Sequence, residues 1–286
     1  MSVIDVGDAR LYYERYGHGP AVLFISGVTG DAGLWTRTAQ ALADEFTVVA
    51  YDRRGNSRSP RPEQWTSTSV DEQADDAAGL LRGLGIAPAV VVGASGGGAI
   101  LTNLVLRHPE VVRAAVIHEP PFVSESSDPD EVGKQLGRLF EQGMATGDPK
   151  RALEGLLLWA WGEEGIAAAE PDLRRRLLAN AEVFLTMELG AFIEYLPSPQ
   201  ELAGVTVPCI VAAGAGNRDP AAPYHHGYEE SQWLATHMRT DLIELPGAHA
   251  PYLTHPTELT DALRPLLRAL SPNTGRDSSP RPPSSS

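Results

Sequence analysis

Three residues of types suited to nucleophilic catalysis each follow an apolar run, where the chain turns out of a strand. Ser95 sits in Gly93-Ala94-Ser95-Gly96-Gly97, directly after Ala89-Val90-Val91-Val92. The G-x-S-x-G spacing places one hydroxyl on a tight strand-to-helix turn and lifts it clear of the chain. Small residues are needed there because the turn crowds the following helix. His249, in Leu245-Pro246-Gly247-Ala248-His249-Ala250-Pro251, lies just past another apolar run. An imidazole with an ordinary pKa near 6.5 can take a proton from a serine and return it to a leaving group. Asp219, in Gly214-Ala215-Gly216-Asn217-Arg218-Asp219-Pro220, is the carboxylate placed to orient that imidazole. An Asx turn before Pro220 is its plainer reading. Asn217 is close by but carries no charge, and His255, before Pro256, reads as a helix-boundary residue.

Loops at one edge of a parallel sheet would bring these three together, and the chain supplies such a sheet. Strands are expected over 9–15, 21–25, 46–51, 89–92, 111–117, 207–213 and 241–245. Helical stretches alternate with the central ones: 35–42, a segment from Ser69 (with Glu72 at capping-box spacing) to about 84, and 99–106. This rhythm predicts an α/β fold, a mostly parallel central sheet flanked by helices. Between 121 and 204 it changes to consecutive helical segments near 131–145, 149–160, 171–182 and 182–195, read as a helical lid over the sheet's C-terminal edge. The core is then 1–120 with 205–270, and the Ser- and Pro-rich stretch 271–286 is expected to be disordered.

Composition narrows the function classes. Twenty-three Lys and Arg against 37 Asp and Glu give a net charge of -14, which opposes binding to nucleic acid or anionic membranes. The single Cys209 lies in an expected buried strand, and no apolar stretch approaches a membrane span. The opening residues carry no basic, apolar leader, so a cytoplasmic location is expected. The eight histidines form no H-x-x-x-H pattern, no G-x-G-x-x-G or P-loop is present, and neither a metal nor a cofactor is expected. The expected partner is a small-molecule substrate; oligomeric state is not legible.

The order Ser95, Asp219, His249, with the loop at 26–33 and Asp52-Arg53-Arg54-Gly55-Asn56-Ser57, resembles the α/β-hydrolase fold superfamily over about residues 3–270. The resemblance is to lid-bearing serine hydrolases related to esterases, haloperoxidase-like enzymes and meta-cleavage hydrolases. It implies a Ser-Asp-His catalytic triad and an oxyanion hole from the backbone N–H groups of Gly96 and Val28, with Gly27 in reserve. Ser26 stands where members usually have histidine. Candidate pocket residues are Ser26, Gly27, His118, Trp159 and Phe184. His118-Glu119-Pro120-Pro121 closes the strand entering the insertion, so His118 or Glu119 could touch substrate, although a lid-hinge role is preferred. Arg53 and Arg54 read as ties for their own loop. The expected reaction is hydrolysis of a small to medium, moderately apolar ester, lactone or related acyl compound through an acyl-enzyme. C–C bond hydrolysis, perhydrolysis and a non-catalytic receptor on the same fold remain as alternatives.

Overall fold

The structure, a computed structural model, describes residues 2–271. The expectation for the C-terminal stretch beyond Ser271 lies outside the described residues. The first half alternates β1 (Ser2–Val6), β2 (Ala9–Tyr16), β3 (Ala21–Ile25), α1 (Thr36–Leu42), β4 (Thr47–Tyr51), α2 (Val70–Gly83), β5 (Ala89–Ala94), α3 (Gly96–Arg107) and β6 (Val112–His118). An all-helical insertion follows: α4 (Pro129–Met144), α5 (Pro149–Ala168), α6 (Pro171–Ala179), α7 (Ala181–Val183), a π-helical segment Phe184–Glu188, α8 (Leu189–Glu194) and α9 (Pro199–Ala203). The sheet resumes with β7 (Cys209–Gly214), α10 (His225–Met238), β8 (Leu242–Leu245), α11 (Pro251–Thr254) and α12 (Pro256–Leu270).

The eight strands lie in the order β1-β2-β4-β3-β5-β6-β7-β8. β1 and β2 pair antiparallel, as do β2 and β4, and every other pairing is parallel. The central strands are buried on both faces: every residue of β4 (TVVAY) and β5 (AVVVGA) is buried. Such continuous β-branched runs suit a sheet covered on both sides. One core lies between the sheet and α1, α12 and the insertion; the other packs β-sheet residues on α2, α3 and α10. The sheet and insertion agree with the expected fold class. β1 was not anticipated, because it is mostly exposed and joins β2 through a turn with Gly7 at φ 55°. Ser69 caps α2 by accepting from Glu72 N–H at 3.1 Å, but Glu72 turns its carboxylate to Trp65 Nε1 (3.0 Å) and Thr68 Oγ1 (2.7 Å). Among the described residues no helix is long and apolar enough to cross a membrane.

Proline opens α4, α5, α6 and α9, and a capping side chain accompanies it in α4, α5 and α9. Asp128 and Asp148 cap α4 and α5, and Pro129, Pro149, Pro171 and Pro199 occupy first-turn positions, where a missing N–H costs nothing. α5 runs beyond the expected end to Ala168, kinked at Gly162 (φ 68°).

Candidate active site

Ser95 stands between β5 and α3 with φ 56° and ψ −127°, a conformation that a non-glycine residue holds at a cost of about 1–3 kcal/mol. The surrounding glycines make that turn fit. A Cβ on Gly93 would lie 2.3 Å from the Gly97 carbonyl oxygen, and one on Gly97 would lie 2.2 Å from the Ile25 carbonyl oxygen. Ser95 N–H donates to the His118 carbonyl at 2.8 Å, tying the turn to the end of β6. The strain is therefore locked in by strand register on both sides.

His249 follows β8, in a loop braced against the end of β7: Gly216 N–H donates to the Gly247 carbonyl at 2.8 Å. It is 1% exposed, and its Nδ1 lies 2.7 Å from Oε2 of Glu119. Glu119, the first residue past β6, is fully buried at φ 40°. Its carboxylate also accepts from Gly214 N–H (2.8 Å) and from Asn217 Nδ2 (2.9 and 3.0 Å). Burial alone would raise its pKa; the neighbouring His118 ring and the hydrogen bonds from His249 and Asn217 overcome that and hold it at about 2. An ionised carboxylate can only accept, so His249 Nδ1 carries a proton, and in the neutral tautomer this selects, Nε2 is the basic nitrogen.

Asp219 is a correction to the expected acid. It is exposed on the loop after β7, and its carboxylate accepts from Ala221 N–H at 2.9 Å in an Asx turn, while the imidazole is held by Glu119. The carboxylate reaches the imidazole from β6 instead, and Asn217, on the same loop as Asp219, serves as its donor. The available signal was a lone Glu between the end of a mostly apolar strand and two prolines.

Gly27 approaches the serine so closely that a Cβ there would lie 2.7 Å from Ser95 Cβ and 3.2 Å from the Gly96 nitrogen. The Gly96 and Val28 N–H groups have no protein acceptor among the described residues. Ser26 is spent on its own loop, donating to the Asp31 carbonyl at 2.9 Å. Over Gly96 lies Phe192 of α8, whose ring edge would meet a Cβ at 3.0 Å. Tyr224 covers His249 with ring centroids 3.9 Å apart, and Trp159 packs edge-on to Tyr224 (5.1 Å) and stacks on His226 (4.9 Å). Trp159 thus lies one layer out from the imidazole. Phe184 is 2% exposed and packs against Phe140 in the apolar interior that the insertion shares with the sheet. His118 is buried with neither ring nitrogen partnered, 6.1 Å from the His249 ring, and burial lowers its pKa to about 4. His226 lies in the first turn of α10. Phe192 and Tyr224 are the contacts that sequence order could not single out from other aromatics.

Residues 20–153 match the model of the α/β hydrolase fold. The uncharacterized hydrolase YraK of Bacillus subtilis (strain 168) is 31% identical over 268 residues, covering 92% of this chain and 94% of that protein. Among solved structures, a thermophilic esterase from Thermogutta terrifontis has a TM-score of 0.75 at 22% identity, over 95% of this chain and 100% of that one. The enol-lactonase from Burkholderia xenovorans LB400 has a TM-score of 0.68 at 23% identity, over 93% and 99%. At those identities the structural likeness is one of fold. A relative at 31% identity over nearly the whole chain, a matching family model and this sheet order agree: the chain belongs to the α/β-hydrolase fold family.

Proposed function

We propose that the protein is a serine hydrolase of small to medium, moderately apolar carboxylic esters, lactones or related acyl compounds, using Ser95, His249 and Glu119. The observation that carries this reading is the 2.7 Å contact between His249 Nδ1 and a buried, ionised Glu119, taken with a serine held at φ 56° on the turn after β5. In this reading His249 Nε2 takes the Ser95 proton as Oγ attacks the acyl carbon. The Gly96 and Val28 N–H groups receive the oxygen that becomes negative, and Glu119 steadies the imidazolium. The imidazolium then protonates the leaving oxygen, the C–O bond breaks and an acyl-Ser95 ester remains. Water, deprotonated by His249, attacks that ester, and Ser95 leaves with its proton restored.

Phe192 over Gly96 and the Tyr224 ring over His249 present ring faces and edges to these groups, which supports an apolar acyl or leaving group. The insertion is assigned the role of a lid that shapes this surface and excludes water. A panel of p-nitrophenyl esters, lactones and vinylogous diketones tests the reading, with intact-mass detection of an acyl adduct. Turnover of esters or lactones with an adduct that disappears in Ser95→Ala supports it. Turnover of diketones alone, or no activity with an unmodified Ser95, overturns it in favour of C–C cleavage or a receptor.

A further inference from the structure

The loop that carries Val28 is fastened to the helical insertion by buried polar groups. Residues Gly27 to Gly30 form a β-turn in which Gly30 N–H donates to the Gly27 carbonyl at 3.1 Å. Thr29 holds φ 73°, a conformation usually left to glycine or asparagine in such turns. A second donor, Nη2 of Arg53, reaches the same Gly27 carbonyl at 2.9 Å. Arg53 is fully buried, and Glu188 of the insertion grips it from the other side. Nη1 lies 2.6 Å from Glu188 Oε1 and Nη2 lies 2.9 Å from Oε2, with both side chains 0% exposed. Asn56 Nδ2 donates to Glu188 Oε1 at 2.8 Å, and Gln73 Oε1 accepts from Arg53 Nη1 at 3.1 Å. The insertion also holds the turn's third residue: Asn180 Nδ2 donates to the Thr29 carbonyl at 2.7 Å.

One peptide unit links this network to the reaction centre. The Gly27 carbonyl and the Val28 N–H belong to the same planar trans peptide, so they point in opposite directions. Fixing the oxygen on Arg53 therefore fixes the hydrogen on the other face, where Gly27 abuts Ser95 Cβ and the Gly96 nitrogen. A surface carboxylate could not do this; it would sway with solvent. Glu188 ends the π-helical segment, a form that recurs at functional sites. Four residues on, Phe192 lies over Gly96.

We propose that Arg53, clamped by Glu188, is a positioning residue for the oxyanion hole: the lid carboxylate sets the Val28 N–H by way of the Gly27 carbonyl. This deepens the serine-hydrolase reading and rests on it. The lid then serves the chemical step as well as substrate selection. It also follows that substitution within the buried pair affects transition-state binding more than substrate binding.

The test uses the full chain with p-nitrophenyl butyrate as substrate and an alkyl trifluoromethyl ketone as inhibitor. The ketone's hemiketal with Ser95 places an oxyanion where the acyl oxygen would sit. The double variant Arg53→Met with Glu188→Met replaces the ion pair by apolar side chains of similar length, an exchange that buried pairs often tolerate. Glu188→Gln keeps the shape and one acceptor, and reports on the clamp should the double variant not fold. The expected result is a kcat loss of about 10–10²-fold in the double variant, a smaller loss in Glu188→Gln, and a parallel rise in the ketone's inhibition constant with KM nearly unchanged. Folded variants with wild-type kcat and wild-type ketone affinity overturn the positioning role, as does a loss confined to KM. A wild-type protein that neither turns over the ester nor binds the ketone at Ser95 overturns the hydrolase reading, and the positioning role with it.

Discussion

Replacing Glu119 by glutamine reverses the tautomer of His249. The Oε1 position accepts from both Gly214 N–H (2.8 Å) and Asn217 Nδ2 (2.9 Å), so it must be occupied by the amide oxygen. The amide nitrogen then faces His249 Nδ1, which the wild-type carboxylate meets at 2.7 Å. Two donors cannot share that contact, so Nδ1 becomes an acceptor and the ring proton moves to Nε2. A protonated Nε2 cannot take the proton of Ser95. The charge that steadies the imidazolium is lost in the same exchange. By analogy with an Asp-to-Asn exchange in another serine enzyme, the cost is about 10⁴ in kcat, or about 5 kcal/mol of transition-state stabilisation. Asp219→Asn provides the contrast, because an asparagine oxygen can still accept from Ala221 N–H and nothing at the imidazole changes. The assay is steady-state hydrolysis of p-nitrophenyl butyrate by both variants, with circular dichroism to verify folding. A folded Glu119→Gln variant within tenfold of wild type, or an Asp219→Asn variant that loses a thousandfold, refutes the reasoning.

Three further outcomes follow from the buried groups. Burial holds His118 and His226 near pKa 4, so the unfolded chain binds protons first as pH falls from about 6.5 to 4; stability is lost over that window at up to about 1.4 kcal/mol per pH unit for each ring, and denaturant titrations of His118→Phe should show a shallower loss. Glu230 is fully buried with neither carboxyl oxygen partnered, and burial raises its pKa well above the ordinary value; its stabilising protonated form is lost as pH rises, so Glu230→Met should raise Tm, more at pH 8 than at pH 5, by calorimetry. Phe192 lies against Gly96, so Phe192→Ala should shift the kcat/KM ranking of p-nitrophenyl esters toward longer acyl chains, and an unchanged ranking would remove it from the acyl pocket.

The elbow was legible because its constraint is local: an apolar β-branched run, then glycines at the two positions where a Cβ would strike backbone. The sheet was legible from apolar runs alternating with helical stretches, and the insertion from the change to consecutive helical segments between 121 and 204. The acid was not. Chain order points to the loop after β7, where Asp219 stands, but the choice between two adjacent strand ends depends on which side chain can be buried with enough donors. Glu119 has Gly214 N–H and Asn217 from the end of β7 and its following turn, and His249 from the loop after β8, around it. Asp219 precedes Pro220 in a turn that already satisfies it. The Arg53–Glu188 pair was hidden for a similar reason, because 135 residues separate partners that meet only when the insertion folds back over the sheet.

The central claim is that Ser95 is the nucleophile, activated by His249. The most direct measurement is intact-mass analysis after brief exposure to a fluorophosphonate, with the adduct located by peptide mapping. The account predicts one adduct per folded chain, on the peptide carrying Ser95, that is absent from Ser95→Ala and greatly slowed in Glu119→Gln. Labelling at another residue, labelling that persists in Ser95→Ala, or a folded wild-type chain that stays unmodified would contradict it.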